Sequence, residues 1–341
     1  MKRIMLAILA ILLVGILVFA AGCEKKESSD TDFAIARARA TGLVKVKVSE
    51  VTHSIFYAPQ YVAMGLGFFA DEGLEIELTN AGGADKVMTA VMSGDANIGL
   101  CGPEQTVYVF NQGQANYPVN IGQLTQCDGS FIVAREPDSE FVIDKFKGKH
   151  ILGGRKGGMP VMALEYTLVQ NGITPGVDCV VDTSIAFDAL PGAFIGGTGD
   201  YVSLFEPTAG SLESQGYGYI VKSLGELSGK IPYTCYNARL EYISQNRETV
   251  ESFMAAVKKG QDFVQGHTAS EIAEAIAPYF ADTSMETLAS VIERYKSIDA
   301  YASSPFLTEE SFDLLLDILD NAGELSARLD YADIVLTDFM Q

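Results

Sequence analysis

Residues 44–104 read VKVKVSEVTHSIFYAPQYVAMGLGFFADEGLEIELTNAGGADKVMTAVMSGDANIGLCGPE, and this stretch decides the fold. Val44, Val46 and Val48 alternate with Lys45, Lys47 and Ser49, the period-two pattern of a β-strand. A polar and aromatic loop, Thr52 to Tyr57, leads to an apolar helix carrying Tyr61, Val62, Met64, Leu66 and Phe68, punctuated by Gly67 and Gly73. A second strand, Leu74 to Leu78, ends in Ala81-Gly82-Gly83, and Val87, Met88, Val91 and Met92 then recur at helical spacing. Ser93-Gly94-Asp95 turns the chain into a third strand, Ala96 to Leu100. Strands alternating with helices predict an α/β fold with a parallel sheet, and ligands of such sheets gather outside the carboxyl ends of the strands. The loops after all three strands sit at such ends.

The runs Ala58-Pro59-Gln60-Tyr61-Val62-Ala63, Gly67-Phe68-Phe69, Glu72-Gly73-Leu74 and Ser93-Gly94-Asp95-Ala96-Asn97-Ile98-Gly99 resemble the solute-binding proteins of the nitrate, sulfonate, taurine and thiamine-pyrimidine-precursor group of ABC importers. The resemblance spans roughly the whole mature chain and implies a two-lobed periplasmic-binding-protein fold of type II. Each lobe is then a mainly parallel sheet flanked by helices, with the ligand cleft between lobes. Residues 44–127 with 236–341 form lobe 1 in this reading, and residues 128–235 form lobe 2. Two apolar strands within Val119 to Val133, broken at Gln126-Cys127-Asp128-Gly129-Ser130, resemble the first crossing between lobes, and Ile231 to Ala238 looks like the return. Amphipathic helices over Arg247–Val264, Ser270–Tyr279, Met285–Ala300 and Thr308–Ala322 read as packing for lobe 1.

Ahead of this body, Lys2 and Arg3 precede an apolar run from Ile4 to Ala21 and then Gly22-Cys23, the layout of a secretory signal over residues 1–22. Ala20-Ala21-Gly22-Cys23 resembles a bacterial lipobox, with Ala20 in place of the usual Leu, and implies lipidation of Cys23. A retained membrane anchor is the other reading of the run. Both place the rest outside the cytoplasm. Residues 23–43 suit a flexible tether.

The formal charge is −20, which repels phosphate backbones, so nucleic acid is not an expected partner. Beyond Cys23 stand Cys101, Cys127, Cys179 and Cys235, widely spaced and without a CxxC pair. Three disulfide connectivities are open to them, and free thiols are the favoured reading. His53, His150 and His267 are the only histidines, and none has metal-ligand spacing, so no metal and no cofactor are expected. Gly65-Leu66-Gly67-Phe68-Phe69-Ala70 matches a loose dinucleotide pattern in the wrong context, after a helix and before a turn.

What remains is a set of loops able to enclose one small molecule. His53, Ser54 and Tyr57 follow the first strand; His53 reads equally as a structural imidazole or a ligand contact, and Tyr57 suits stacking on a planar ring. Gly83 and Ala84 open a helix with free amides, or form a plain turn. Glu104 is a candidate acceptor or a simple first-turn carboxylate, and Glu206, after the strand Tyr201 to Leu204, carries the same two readings. Gly157, Gly158 and Met159 lie in Gly153-Gly154-Arg155-Lys156-Gly157-Gly158-Met159-Pro160, between a strand and a helix, where backbone amides attract anionic groups or the run is a Gly-rich turn with Arg155 and Lys156 in solvent. Asp128 and Tyr233 lie at the inferred crossings, where a cleft closes, and each reads either as a ligand contact or as structural there.

The resemblance implies a non-enzymatic, monomeric receptor that delivers a small organic solute of the sulfonate, taurine or pyrimidine/thiamine-precursor class to an ABC permease and its ATPase from a lipid-anchored position. The polar and aromatic residues near the strand ends lean toward a planar heterocycle. The alternatives are an enzyme resembling the pyrimidine precursor synthase of the same fold, whose clustered cysteines this chain lacks, and a ligand-sensing surface lipoprotein.

Overall fold

The computed structural model describes residues 42–340. The signal, Cys23 and most of the tether lie outside the described residues. The chain begins with β1 (Val44–Glu50), in which Val46 and Val48 are buried while Lys45 and Lys47 face solvent. A 3-10 turn, Ile55–Tyr57, leads into α1 (Ala58–Gly65) and the short α2 (Phe68–Asp71). Then follow β2 (Leu74–Asn80), α3 (Ala84–Ser93), β3 (Ile98–Cys101), α4 (Glu104–Asn111) and β4 (Pro118–Cys127).

A second sheet is built by β5 (Ser130–Ala134), β6 (His150–Leu152), α5 (Met159–Gln170), β7 (Val180–Asp182), α6 (Leu190–Ile195), β8 (Tyr201–Phe205), α7 (Thr208–Ser214) and β9 (Tyr219–Ser223). The short α8 (Leu224–Ser228) precedes β10 (Lys230–Arg239), which rejoins the first sheet. The tail is helical: α9 (Leu240–Gln245), α10 (Arg247–Gly266), α11 (Ala269–Ile276), α12 (Met285–Ser297), α13 (Glu309–Asn321) and α14 (Tyr331–Ile334). Side-chain caps from Thr268, Ser284 and Thr308 open α11, α12 and α13.

The two five-stranded sheets run β2-β1-β3-β10-β4 and β7-β6-β8-β5-β9. Each is mixed. In the first, β1 pairs parallel with β2 and β3, while β10 is antiparallel to β3 and β4. In the second, β6 is parallel to β7 and β8, while β5 is antiparallel to β8 and β9. The antiparallel members are those next to the crossings: they enter from the opposite sheet and run against the βαβ strands. The fold is α/β and two-lobed, as the sequence predicts, and the carboxyl ends of the parallel strands of both sheets meet the other lobe.

At the first crossing only Asp128 and Gly129 separate β4 from β5, and at the return Gly229 alone separates α8 from β10. A Cβ on Gly129 would lie 2.5 Å from the Phe56 ring, so the close packing of the Ile55–Tyr57 turn on the crossing requires glycine there. Tyr295, wholly buried on α12, donates its hydroxyl to the Gly129 carbonyl at 2.9 Å and accepts from the Glu206 amide at 3.2 Å. Helix α12 of the C-terminal part thus grips both the crossing and the loop after β8. Cys101, Cys127, Cys179 and Cys235 are buried free thiols.

Candidate ligand cleft

The strand ends put four carboxylates out of water. Glu50, Glu104, Asp128 and Glu206 are each at most 1% exposed, and no Lys, Arg or His is buried among the described residues. A buried charge is costly unless it is paired, so the partners of each carboxylate decide its role.

Glu50, at the end of β1, is satisfied within its own lobe. Tyr61 donates to both of its oxygens at 2.7 and 2.8 Å, and Gln60 donates at 3.1 Å. His53 stands 3.3 Å from it. Burial raises the Glu50 pKa against these hydrogen bonds. The hydrogen bond to Glu50 raises that of His53. Glu206 is also satisfied. Arg294 of α12 reaches it at 2.7 Å and the Gly210 amide donates at 2.8 Å.

The other two carboxylates are left short. Asp128 uses one oxygen to hold the Ser130 amide and hydroxyl, and its Oδ2 has no hydrogen-bond partner. The Tyr233 hydroxyl lies beside it, near enough to ease its charge, yet makes no hydrogen bond of normal geometry. Glu104 Oε1 accepts from Gln105 at 3.0 Å, and its Oε2 is unpartnered. A Cβ on residue 102 would fall 1.9 Å from that Oε2, so Gly102 is what makes room for the carboxylate. Burial pushes the Glu104 pKa up to about 7 and the Asp128 pKa up to about 6. Burial raises the Tyr57 pKa as well; its hydroxyl lies beside Thr234 and within the field of Glu104.

Aromatic rings surround these groups. Phe56 packs on Tyr57 at 5.7 Å, stacks on Phe205 across the lobes at 5.4 Å, and meets Tyr233 edge-on at 5.6 Å. The arrangement offers carboxylate and hydroxyl oxygens as acceptors beside flat apolar faces. Chemically it suits N–H donors on a planar molecule better than a lone anion.

The mouth of the cleft is strapped shut by contacts between lobes. Arg155 pairs with Asp85 at 3.4 Å, Lys86 with Asp188 at 3.4 Å, and Lys156 with Glu324 at 3.4 Å. Tyr108 donates to the Gly157 carbonyl at 2.9 Å. Behind the straps a cavity of about 80 Å³ is lined by Val51, Gly83, Ala84, Gly154, Gly158 and Phe187. A neighbouring one of about 200 Å³ reaches Thr52, Asn80 and Phe205. A larger groove, about 640 Å³, runs between α7 and α12 with the Glu206–Arg294 pair in its wall.

The residues singled out in the sequence divide accordingly. Tyr57, Glu104, Asp128, Met159 and Tyr233 are buried at the strand ends. Gly83, Ala84 and Gly158 line the small cavity, and Gly157 holds the strap from Tyr108. Ser54 is committed elsewhere: its hydroxyl caps the Ile55–Tyr57 turn and bonds the Glu206 carbonyl. His53 also faces away, its Nε2 2.7 Å from the Tyr279 carbonyl and its ring stacked on Phe280 at 4.5 Å.

Phe205, Asp85, Lys86, Asp188 and Glu324 were not among the candidates, nor were Arg294 and Tyr295. Phe205 adjoins Glu206 after a strand, a signal that was present in the sequence. The last two sit on an amphipathic helix some 90 residues along the chain from Glu206, and no local pattern announces them.

Comparison with known proteins agrees with this fold. Residues 55–270 match the sequence profile of the family described as NMT1/THI5 like. The chain is 45% identical over 293 residues to YtlA of Bacillus subtilis (strain 168), whose name provisionally makes it a binding protein; the match covers 86% of this chain and 88% of that one. Among solved structures, the alkanesulfonate-binding protein SsuA from Xanthomonas axonopodis pv. citri, bound to MOPS, superposes with a TM-score of 0.69 at 15% identity, over 86% of this chain and 98% of that one. The periplasmic nitrate-binding protein NrtA from Synechocystis PCC 6803 gives 0.58 at 15% identity, over 72% and 69%. At such identities the two structures establish the fold alone.

Proposed function

This chain belongs to the NMT1/THI5-like family, and from that premise we propose that it is an extracytoplasmic receptor that captures a small organic solute between its lobes and hands it to an ABC permease and its ATPase. The moving bodies in this reading are residues 44–127 with 236–341, and residues 128–235. Ligand contacts from both lobes stabilise the closed state, and the difference in affinity between open and closed forms drives the hinge. The signal over residues 1–22 exports the chain, and lipidated Cys23 with the tether to residue 43 holds it at the membrane surface as a monomer.

One observation carries the ligand reading: Glu104 Oε2, Asp128 Oδ2 and the Tyr233 hydroxyl are buried without partners beside the Phe56, Tyr57 and Phe205 rings. Unmet acceptors of this kind cost about 1–3 kcal/mol each until a donor arrives. The ligand that best repays them is a planar nitrogen heterocycle or a related amine, its N–H groups on the carboxylates and its ring against the aromatics. Gly83, Ala84, Gly158 and Met159 close around it.

A thermal-shift screen of aminopyrimidines, small amines, flavins and sulfonates tests this. Stabilisation by nitrogen bases that disappears in Asp128→Asn is the expected result; stabilisation by sulfonates alone contradicts it. For the anchor, Cys23→Ser should move the chain from the membrane fraction to the soluble exported fraction, and unchanged fractionation would contradict lipidation.

A further inference from the structure

The start of α5 is a place where an anion would be expected. The helix has 12 residues, its cap is Gly158, and the preceding Gly-rich loop brings backbone close to the cleft. Yet a carboxylate stands close by: Tyr108, one turn along α4 from Glu104, donates to the Gly157 carbonyl at 2.9 Å and so holds the start of α4 against that loop. Glu104 lies near enough to the Met159 amide and to Arg155 for both to ease its charge. Glu104 also opens α4, so its own amide and the α4 dipole favour the same charge. Gln105 is neutral, and the other neighbours are uncharged as long as they keep their protons: Tyr108 on α4, Cys101 on β3, Tyr233 and Cys235 on β10, and Tyr57 before α1. Oε2 is wholly buried and unpartnered, and Gly102 leaves it the space it occupies.

We infer that Glu104 is a specificity-determining residue: an acidic side chain built into the chain beside the start of α5, where an oxyanion of the ligand would otherwise be favoured, and so the residue that sets the charge preference of the cleft. A sulfonate, nitrate or carboxylate entering the closed cleft meets a buried acceptor oxygen, and a like charge wherever Glu104 has given up its proton. A molecule presenting N–H groups meets a free oxygen instead. This inference rests on the receptor reading of the same cleft, and it goes further by assigning the sign of selectivity to one side chain.

Two planar probes of opposite charge, benzamidine and benzenesulfonate, test it by calorimetric titration against the wild type, Glu104→Gln and Glu104→Ala. The glutamine variant keeps the shape and the bond to Gln105, so it serves if the alanine variant folds poorly. The expected result is a reversal of preference. Benzenesulfonate should bind the variants roughly tenfold or more tighter than the wild type, the equivalent of ~1.4 kcal/mol, while benzamidine weakens. A residue that merely supports the fold would shift both probes the same way. Benzenesulfonate binding that is equal in wild type and variants, or absent from all three, overturns the assignment of Glu104. The receptor reading does not fall with it, because the thermal-shift screen judges that separately.

Discussion

Two regions of the cleft bury carboxylates in opposite ways. On the flank, Glu206 is held by Arg294 and the Gly210 amide, and deeper in the first lobe Glu50 is held by Tyr61 and Gln60. In the interior, Glu104 and Asp128 each keep an oxygen without a partner. The paired groups act as struts: Glu206 joins the second lobe to α12, and Glu50 fixes the loop that presents Tyr57. The unpaired groups are a standing cost to the ligand-free protein. A ligand that supplied their donors would recover that cost, which is what the receptor reading requires of the interior.

Substitution can break or sharpen this contrast. The largest effect should come from the strut. Arg294→Ala strands a buried Glu206, and loss of a partner from a buried pair costs about 3–5 kcal/mol; because Arg294 is itself partly exposed, the lower end is expected in urea unfolding. A loss under ~1 kcal/mol, no more than a surface pair gives, would mean that Glu206 is not a strut at all. Next comes the interior. Asp128→Asn keeps an acceptor for Ser130 but removes a charge, and should weaken a nitrogen-base ligand by about 1.5–3 kcal/mol, as for hydrogen bonds to charged groups, with little change in stability.

The third prediction concerns pH. The folded pKa of Glu104 is raised by burial from 4.5 to about 7, so between those values the folded chain holds a proton that the unfolded chain releases. Stability from this group is therefore greatest at the acid end of the window and falls as pH rises through about 7. Glu104→Gln removes that dependence: it should be more stable than wild type at pH 8, by up to about 3 kcal/mol, and close to it near pH 4.5. A variant less stable than wild type at pH 8 would place Glu104 with the struts. The smallest effect belongs to the mouth. Lys86→Ala removes an exposed pair worth under ~1 kcal/mol, visible as a slight opening in inter-lobe fluorescence transfer that 1 M salt mimics in the wild type.

The fold was legible because its signals are local. Alternating valines at 44–48, the Gly-rich breaks and the Ser93-Gly94-Asp95 turn each specify one element, and the element order then restricts the topology. The antiparallel half of each sheet was less visible, since the direction of β5 and β10 depends on where the crossings lie and not on any strand's own pattern. The candidate site was legible only as loops after strands. Sequence could list Glu104, Asp128 and Glu206 as carboxylates near a cleft, but the difference between them lies in partners brought from far away: Arg294 reaches Glu206 across 88 positions, whereas Asp128 meets no cation and has only the Tyr233 hydroxyl beside its free oxygen. His53 shows the same limit from the other side, because its partner Tyr279 is 226 residues distant.

The most direct test is mass spectrometry of the small molecule released on denaturing the protein isolated from its own cells, compared with the Glu104→Gln, Asp128→Asn double variant. The account predicts a nitrogen-bearing molecule with N–H donors, near one per chain in the wild type and depleted in the variant. A sulfonate or other acid in the wild type, or equal occupancy in the two proteins, would contradict it.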